Sequence, residues 1–265
     1  MTHVVITGAS KGIGKALALE FLRKGATLTI SGRNQERLDN AVSVLKEESG
    51  SNSCQGIVCD VSSQEALDNL WKNSARILPI NIWINNAGVN HSSNELINLD
   101  IKEIDSVLDT NIRGCILGSR VALSGMMEQG FGALYNMEGL GSDGRIVEGT
   151  SIYGTSKSAV RYFTRSMIKE QRNSPVIVGS ISPGMVITDM ILEPIRKEPE
   201  KNKKALKIFH ILADPPGRVC PWIVKKLLSN RKHGQHFAWL SNRKIMLRFF
   251  LNMFKNRKVE GLPDF

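Results

Sequence analysis

The chain has 265 residues, 42% of them hydrophobic and 23% charged, with a formal net charge of +10. That is an ordinary globular composition, which excludes a disordered or fibrous chain. The four cysteines, Cys54, Cys59, Cys115 and Cys220, form no CxxC pair, which points to free buried thiols in a reducing compartment rather than to a disulfide framework.

In chain order, short apolar runs alternate with helix-length segments. A strand is predicted over His3–Thr7 and a helix over Ile13–Arg23. A second strand over Ala26–Ser31 precedes a helix over Glu36–Lys46, and a third over Gln55–Cys59 precedes a helix over Gln64–Lys72. A fourth strand over Ile80–Asn85 leads to a long helical stretch from Ile101 to Glu128, either one helix or two broken near Gly114. Strand five is Ala133–Met137, followed by a helix over Ile152–Gln171 and strand six over Val176–Ser182. Pro216–Ser229 is helical, with proline where a missing N–H costs least, and His236–Leu240 is a last strand.

Continuous apolar strands alternating with helices predict a parallel sheet covered on both faces. With right-handed crossovers the expectation is an α/β, doubly wound Rossmann fold of about seven strands, with ligands beyond the carboxyl ends of the strands. No linker, repeat or low-complexity tract divides it, so residues 1–240 are expected to form one nucleotide-binding catalytic domain, with 241–265 a basic amphipathic helical extension. No charged n-region leads into a long apolar core, and no apolar run reaches the ~18 residues of a spanning helix. A cytoplasmic body is therefore expected, with membrane association left open for the C-terminus. No His/Cys cluster has metal-ligand spacing.

The segments after the strands carry the chemistry. Strand one is followed by Thr7-Gly8-Ala9-Ser10-Lys11-Gly12-Ile13-Gly14. Glycines allow a tight turn and close approach of a pyrophosphate to the next helix's N-terminus. The alternative is an ordinary strand-to-helix turn. Strand two ends Ile30-Ser31-Gly32-Arg33 without the carboxylate that would bind the ribose hydroxyls of NAD. Arg33 and Lys11 can instead pair with a 2′-phosphate, which favours NADP(H). Otherwise they are solvated surface cations.

Asp60-Val61 follows strand three as an adenine-side candidate, and Asn86-Ala87-Gly88 follows strand four as a cofactor-binding candidate in which Asn86 and Gly88 can equally be simple turn formers. Asn111 lies inside a helix, where asparagine is a poor choice; holding a water is one reason for it to be there. Tyr153 and Lys157 lie four residues apart on one helix face. Carbonyl reduction needs a hydride at carbon and a proton at oxygen. A phenol has a pKa of about 10, and a nearby ammonium lowers it toward the working range; Lys157 can do this and can also hold the nicotinamide ribose. Taken alone, the pair also fits a half-buried ring beside a snorkelling amine.

In this fixed order, TGASKGIG, Asp60-Val61, NNAG, Asn111, YGTSK and Ser182–Asp189, the chain resembles the short-chain dehydrogenase/reductase family from Thr7 to about Asp189. The resemblance implies that Asn111 positions a water, Tyr153 gives the proton and Lys157 tunes it. It also implies that Pro183, Gly184, Val186 and Thr188 border the nicotinamide. A homodimer or homotetramer built on the helices around 101–128 and 152–171 follows from it as well.

The family also carries a serine hydroxyl after strand five, expected near Gly139 or Leu140, but the first serine here is Ser142. Either a longer loop folds Ser142 back, or Glu138 and the N–H groups of Gly139 to Gly141 serve instead, or Ser142 is a turn residue. The segment YNMEGLGSDGR, with the basic, aromatic tail from Phe237 to Glu260, is similar to the chlorophyll(ide) b reductases, which reduce a formyl group on a chlorin ring. That resemblance implies a large apolar aldehyde or ketone as substrate. Reduction of 3-oxoacyl or steroid-like ketones and a weakly catalytic NADPH-binding scaffold stand as alternatives. Residues 189–215 are read as a lysine-rich substrate lid, and Met137, Met185, Met190 and Ile191 as either pocket lining or core.

In the tail, Lys244, Arg248, Asn252 and Lys255 form one narrow polar stripe on a helix whose other face is broad and apolar. Two readings fit: docking on the body or a second subunit, or peripheral membrane contact through 243–258 with cations at anionic headgroups. Nucleic acid is disfavoured because the basic residues are interleaved with aliphatics and no reading motif appears.

Overall fold

The computed structural model describes residues 1–200, 202–254 and 257–263. Its strands are β1 (His3–Ile6), β2 (Thr27–Gly32), β3 (Cys54–Val58), β4 (Ile82–Asn85), β5 (Gly132–Met137), β6 (Val176–Ser182) and β7 (His236–Ala238). They form one seven-stranded sheet in the order β3-β2-β1-β4-β5-β6-β7, parallel throughout. The order reverses between β1 and β4, which opens a crevice at the carboxyl ends of those two strands.

The helices are α1 (Gly12–Arg23), α2 (Gln35–Ser49), α3 (Gln64–Ala75), α4 (Ile101–Val107), α5 (Gly114–Gln129), α6 (Ser151–Glu170), α7 (Asp189–Lys197), α8 (Lys203–Leu212), α9 (Pro216–Ser229) and α10 (Asn242–Asn252). Local chemistry sets their ends. The Asn34 side chain caps α2 by accepting from Arg37 N at 2.8 Å, and Ser63 caps α3 by accepting from Ala66 N at 3.2 Å. Gly130, with φ at 79°, closes α5 in the left-handed region. The break expected near Gly114 is a π-helical turn over Leu108–Arg113.

Because β1, β2 and β4 are buried on both faces, two cores form. One packs Leu17, Phe21 and Leu22 of α1 with Val219, Ile223 and Val224 of α9 against the sheet. The other places Leu67, Leu70, Val121 and Met126 against the opposite face around Trp83. Each such side chain contributes about 1.5–3 kcal/mol by leaving water. Residues 189–215, read as a lysine-rich substrate lid, are mostly two helices, α7 and α8.

The tail docks in the reverse sense to the one its apolar face suggested. Asp214, fully buried, takes Arg248 at 2.6 Å, Arg257 at 2.7 Å and the Trp239 indole N–H at 2.7 Å. Burial works against its charge, but those hydrogen bonds and the two arginines outweigh it and hold the carboxyl below the usual range. Lys244 lies 3.4 Å over the Trp239 ring, and Val259 packs with Ile187 and Ala213. The polar stripe therefore faces inward, because a buried acid offers arginines more than an aliphatic surface offers leucines. The expectation that the apolar face covers the body is corrected. Lys255 lies outside the described residues. Among the described residues no helix is long and apolar enough to cross a membrane.

Candidate active site

The glycine turn between β1 and α1 is built by close packing. Gly8 and Gly12 have φ of 63° and 60°, a region L side chains avoid. A Cβ on Gly8 would meet Ala87 Cα at 2.6 Å, so the turn lies directly against the exit of β4. Asn86 Nδ2 donates to Thr7 O at 2.9 Å and Gly8 O at 3.0 Å, while Thr7 Oγ1 accepts from the N–H groups of Asn86 and Ala87, both at 3.1 Å. Asn86, expected at the cofactor, thus spends its amide holding the turn. A Cβ on Gly12 would lie 3.8 Å from Thr188 Cγ2, which brings the turn opposite the Pro183–Thr188 segment, where Gly184 is left-handed at φ 73°. Lys11 precedes α1 without a side-chain cap, leaving that helix's first amides available to an anion.

Arg33 is exposed just beyond β2, as is Lys11 beside the turn. Ser10 lies against Gly32, 3.2 Å from where a Cβ would stand. Asp60 accepts from Ser62 N and Oγ at 3.0 and 2.8 Å; burial opposes its charge, but these bonds and the charge of Arg33 hold it below the ordinary value. Val61 is buried against Gly114, so its first role is to seat the start of α5. The glycine cradle, the uncapped start of α1 and the facing Pro183–Thr188 segment fit a dinucleotide with a pyrophosphate and a ring to hold.

At the exits of β4 and β5 the polar residues converge. Lys157 Nζ donates to Met137 O at 3.3 Å, lies 5.8 Å from the Tyr153 ring centroid, and stands 3.4 Å from where a Cβ on Gly88 would be. The Tyr153 hydroxyl lies 2.7 Å from the Cβ position of Gly139. Burial pulls Lys157 below its usual value, against the opposing charge of Glu138, and pushes the Tyr153 phenol up to about 12. In the protein alone desolvation therefore exceeds the expected lowering of Tyr153 by Lys157. The Tyr153 side chain is only half-buried by surface, but its oxygen is the inward end, against backbone.

Asn111 sits in the π-helical turn and is buried. Its Nδ2 donates to Val89 O at 2.9 Å and Ser156 Oγ at 3.0 Å, and its Oδ1 accepts from Val89 N at 2.8 Å. Both amide hydrogens are thus spent inside the protein. The side chain thus ties the β4 exit to α6.

The loop after β5 folds Ser142 back onto Gly139. Ser142 Oγ accepts from Gly139 N at 2.9 Å, and Ser142 N donates to Gly139 O at 3.1 Å. Ser142 is buried, and its hydroxyl hydrogen is not committed by that bond. Glu138 turns the other way, its buried carboxylate 3.5 Å from both Arg161 and His236 Nδ1, so it does not serve as a donor at the reacting oxygen. Met137 belongs to the core, Met185 packs toward Ile187 and Phe209, and Met190 is exposed. Sequence reasoning missed His91, buried on the loop after β4 with Nδ1 2.7 Å from Ser92 O and Nε2 unpartnered among the described residues; only the neighbouring NNAG motif signalled that loop.

A doubly wound parallel sheet with a glycine cradle at its switch point and a Tyr/Lys pair beside it defines a Rossmann-type oxidoreductase. A family model described as short chain dehydrogenase matches residues 2–199, and the chain belongs to that family. It is similar to chlorophyll(ide) b reductase NOL, chloroplastic, of Arabidopsis thaliana, 35% identical over 97% of this chain and 76% of that one. It is also similar to the probable chlorophyll(ide) b reductase NYC1, chloroplastic, of the same organism, 34% identical over 92% of this chain. The chain spans about half the length of that relative, 52%. Among solved structures, levodione reductase aligns with a TM-score of 0.80 at 25% identity, over 90% of this chain and 95% of that one. A serine dehydrogenase complexed with NADP+ aligns at 0.77 and 24%, over 89% and 94%.

Proposed function

We propose that the chain is an NADPH-dependent reductase of a large apolar aldehyde or ketone, the formyl group of chlorophyll(ide) b being the substrate its relatives suggest. The observation that carries this reading is the meeting of the Tyr153 hydroxyl, Lys157 and the Ser142–Gly139 pair at the exit of β5. The dinucleotide would be held by Gly8, Ser10, Gly12, Ile13 and Gly14, with Asp60, Ala87 and Gly88 on one side and Pro183, Gly184, Val186 and Thr188 on the other. Arg33 and Lys11, with no carboxylate at the end of β2, support NADPH over NADH. When bound, the cofactor supplies the hydride.

The chain's own residues handle the oxygen. Tyr153 holds a proton at its phenol oxygen and gives it to the developing alkoxide, and burial keeps that proton in place until the alkoxide forms. Ser142 accepts the Gly139 N–H, which orients its oxygen and leaves its own hydrogen to donate to the carbonyl. Lys157 places positive charge beside the phenol and stabilises the phenolate after transfer. Asn111 positions this set by joining the β4 exit to Ser156 of α6. A homodimer or homotetramer through α5 and α6 belongs to the same reading; Ile116 and Met127 of α5 and Tyr162 of α6 are exposed there.

The test is NADPH consumption by the purified chain against chlorophyllide b, long-chain aldehydes, a 3-oxoacyl thioester and a steroid ketone, with Tyr153→Phe and Ser142→Ala alongside. Turnover of chlorophyllide b, abolished in Tyr153→Phe with NADPH still bound and reduced ~10²–10³-fold in Ser142→Ala, is expected. Normal turnover in Tyr153→Phe would overturn the mechanism.

A further inference from the structure

The tail's inverted docking leaves a feature that the chemistry of the site does not use. With Arg248 and Arg257 turned in to Asp214, the apolar side of α10 points to solvent. Met246 is 72% exposed, Leu247 55%, Phe250 57%, Leu251 53%, Met253 79% and Phe254 75%. So much aliphatic and aromatic surface on one 11-residue helix and the two residues that follow it is not what a solvated tail carries.

The helix is also next to the site. Its first residue, Asn242, meets Arg145 of the loop after β5 at 3.5 Å, and that loop carries Ser142. The same loop presents Ile146 at 96% exposure. At its far end a Cβ on Gly149 would lie 3.4 Å from Ser93, in the loop that leads to Ile97, 87% exposed. Three neighbouring segments, 96–97, 146–147 and α10, therefore show large apolar side chains outward, linked by the contacts Ser93–Gly149 and Arg145–Asn242.

We infer that this rim and α10 form a surface that lies in the interfacial layer of an anionic lipid bilayer, with the site's mouth facing the membrane. Charge chooses the occupant. The stretch from Pro215 to Val259 holds no acidic residue, and Arg243 on α10 and Lys204 on neighbouring α8 are exposed, while the exposed acids of the rim, Glu95, Asp143 and Glu148, lie on the two loops rather than on α10. A two-fold contact between copies through α10 would set its cationic residues against themselves. Anionic headgroups complement it, while the aromatic and aliphatic side chains enter the acyl boundary. Resting on the reading of the site as a reductase of a large apolar carbonyl, the surface implies a substrate taken from the bilayer rather than from water.

Sedimentation of the full chain with vesicles of phosphatidylcholine, with and without phosphatidylglycerol, tests it. Binding about tenfold or more stronger to the anionic vesicles, weakening with salt, is expected. The double substitution Leu247→Glu with Phe250→Glu should cut it at least about tenfold with the melting temperature and NADPH binding unchanged, both residues being exposed. Hydrogen exchange of the unsubstituted chain should show protection of 242–254 and 146–147 on adding vesicles, which keeps the test valid if the double variant folds poorly. Equal sedimentation of the two chains, or no protection, overturns the proposal. So does a chain whose mass in solution is a dimer that the double substitution splits. Vesicle binding is read without turnover, so a chain that reduces no carbonyl yet binds would refute only the reductase reading.

Discussion

Gly139→Ala probes the arrangement at the exit of β5. The new Cβ would stand 2.7 Å from the Tyr153 hydroxyl, 3.2 Å from Lys157 Cγ and 3.3 Å from Lys157 Cε. Contact that close forces the phenol or the lysine stem to move, and overpacking of this kind costs about 1–3 kcal/mol. For a chain of this size that is a fall in melting temperature of ~2–12 °C. The effect on catalysis is larger, because a shift of the reacting atom by ~1 Å costs about 10²-fold. Steady-state NADPH consumption should therefore show kcat down at least ~10²-fold while KM for NADPH changes little. Gly217→Ala, where nothing lies within 4 Å of the new Cβ, is the matched control and should leave both unchanged. Wild-type kcat and melting temperature in Gly139→Ala would refute the placement of the Tyr153 oxygen against this glycine.

Arg33→Asp should raise KM for NADPH by at least about tenfold, ~1.4 kcal/mol, with KM for NADH equal or lower, read from initial rates with each cofactor. Asp214→Asn leaves Arg248 and Arg257 without their buried acid. Removing one partner of a buried pair costs ~3–5 kcal/mol, and the partial exposure of Arg257 brings this to about 2–3 kcal/mol. Trypsin should then cut the tail at Arg243 and Lys244 much faster than in the parent chain. Unchanged digestion would refute Asp214 as the anchor. Because the folded Asp214 carboxyl is held low, its contribution is present above the ordinary value of 3.8 and lost as pH falls through the folded value. Lys157→Met should abolish turnover yet raise the melting temperature at neutral pH. Burial holds the folded amine below 10.5, so the unfolded chain binds more protons and the lysine destabilises. The gain should fade as pH rises toward 10.5, and a gain that grows with pH would contradict the burial.

The alternation of apolar strands and helices, the glycine turn, NNAG and the Tyr153/Lys157 spacing were legible in order along the chain, because each depends on a local pattern of period, turn or helical repeat. The parallel sheet followed from those patterns, and so did the position of the helix break near Gly114. Three things did not. That Ser142 returns to Gly139 depends on a loop whose path is fixed by α6, where Gly141 abuts Gly154. That Asn86 spends its amide on backbone, and Asn111 on the Val89 backbone and the Ser156 hydroxyl, depends on partners 78, 22 and 45 residues away. The sense of the tail's docking was hidden most fully. An amphipathic pattern fixes which residues share a face, but not which face turns inward, and that was decided by one buried carboxylate, Asp214, lying where two arginines of the tail can reach it.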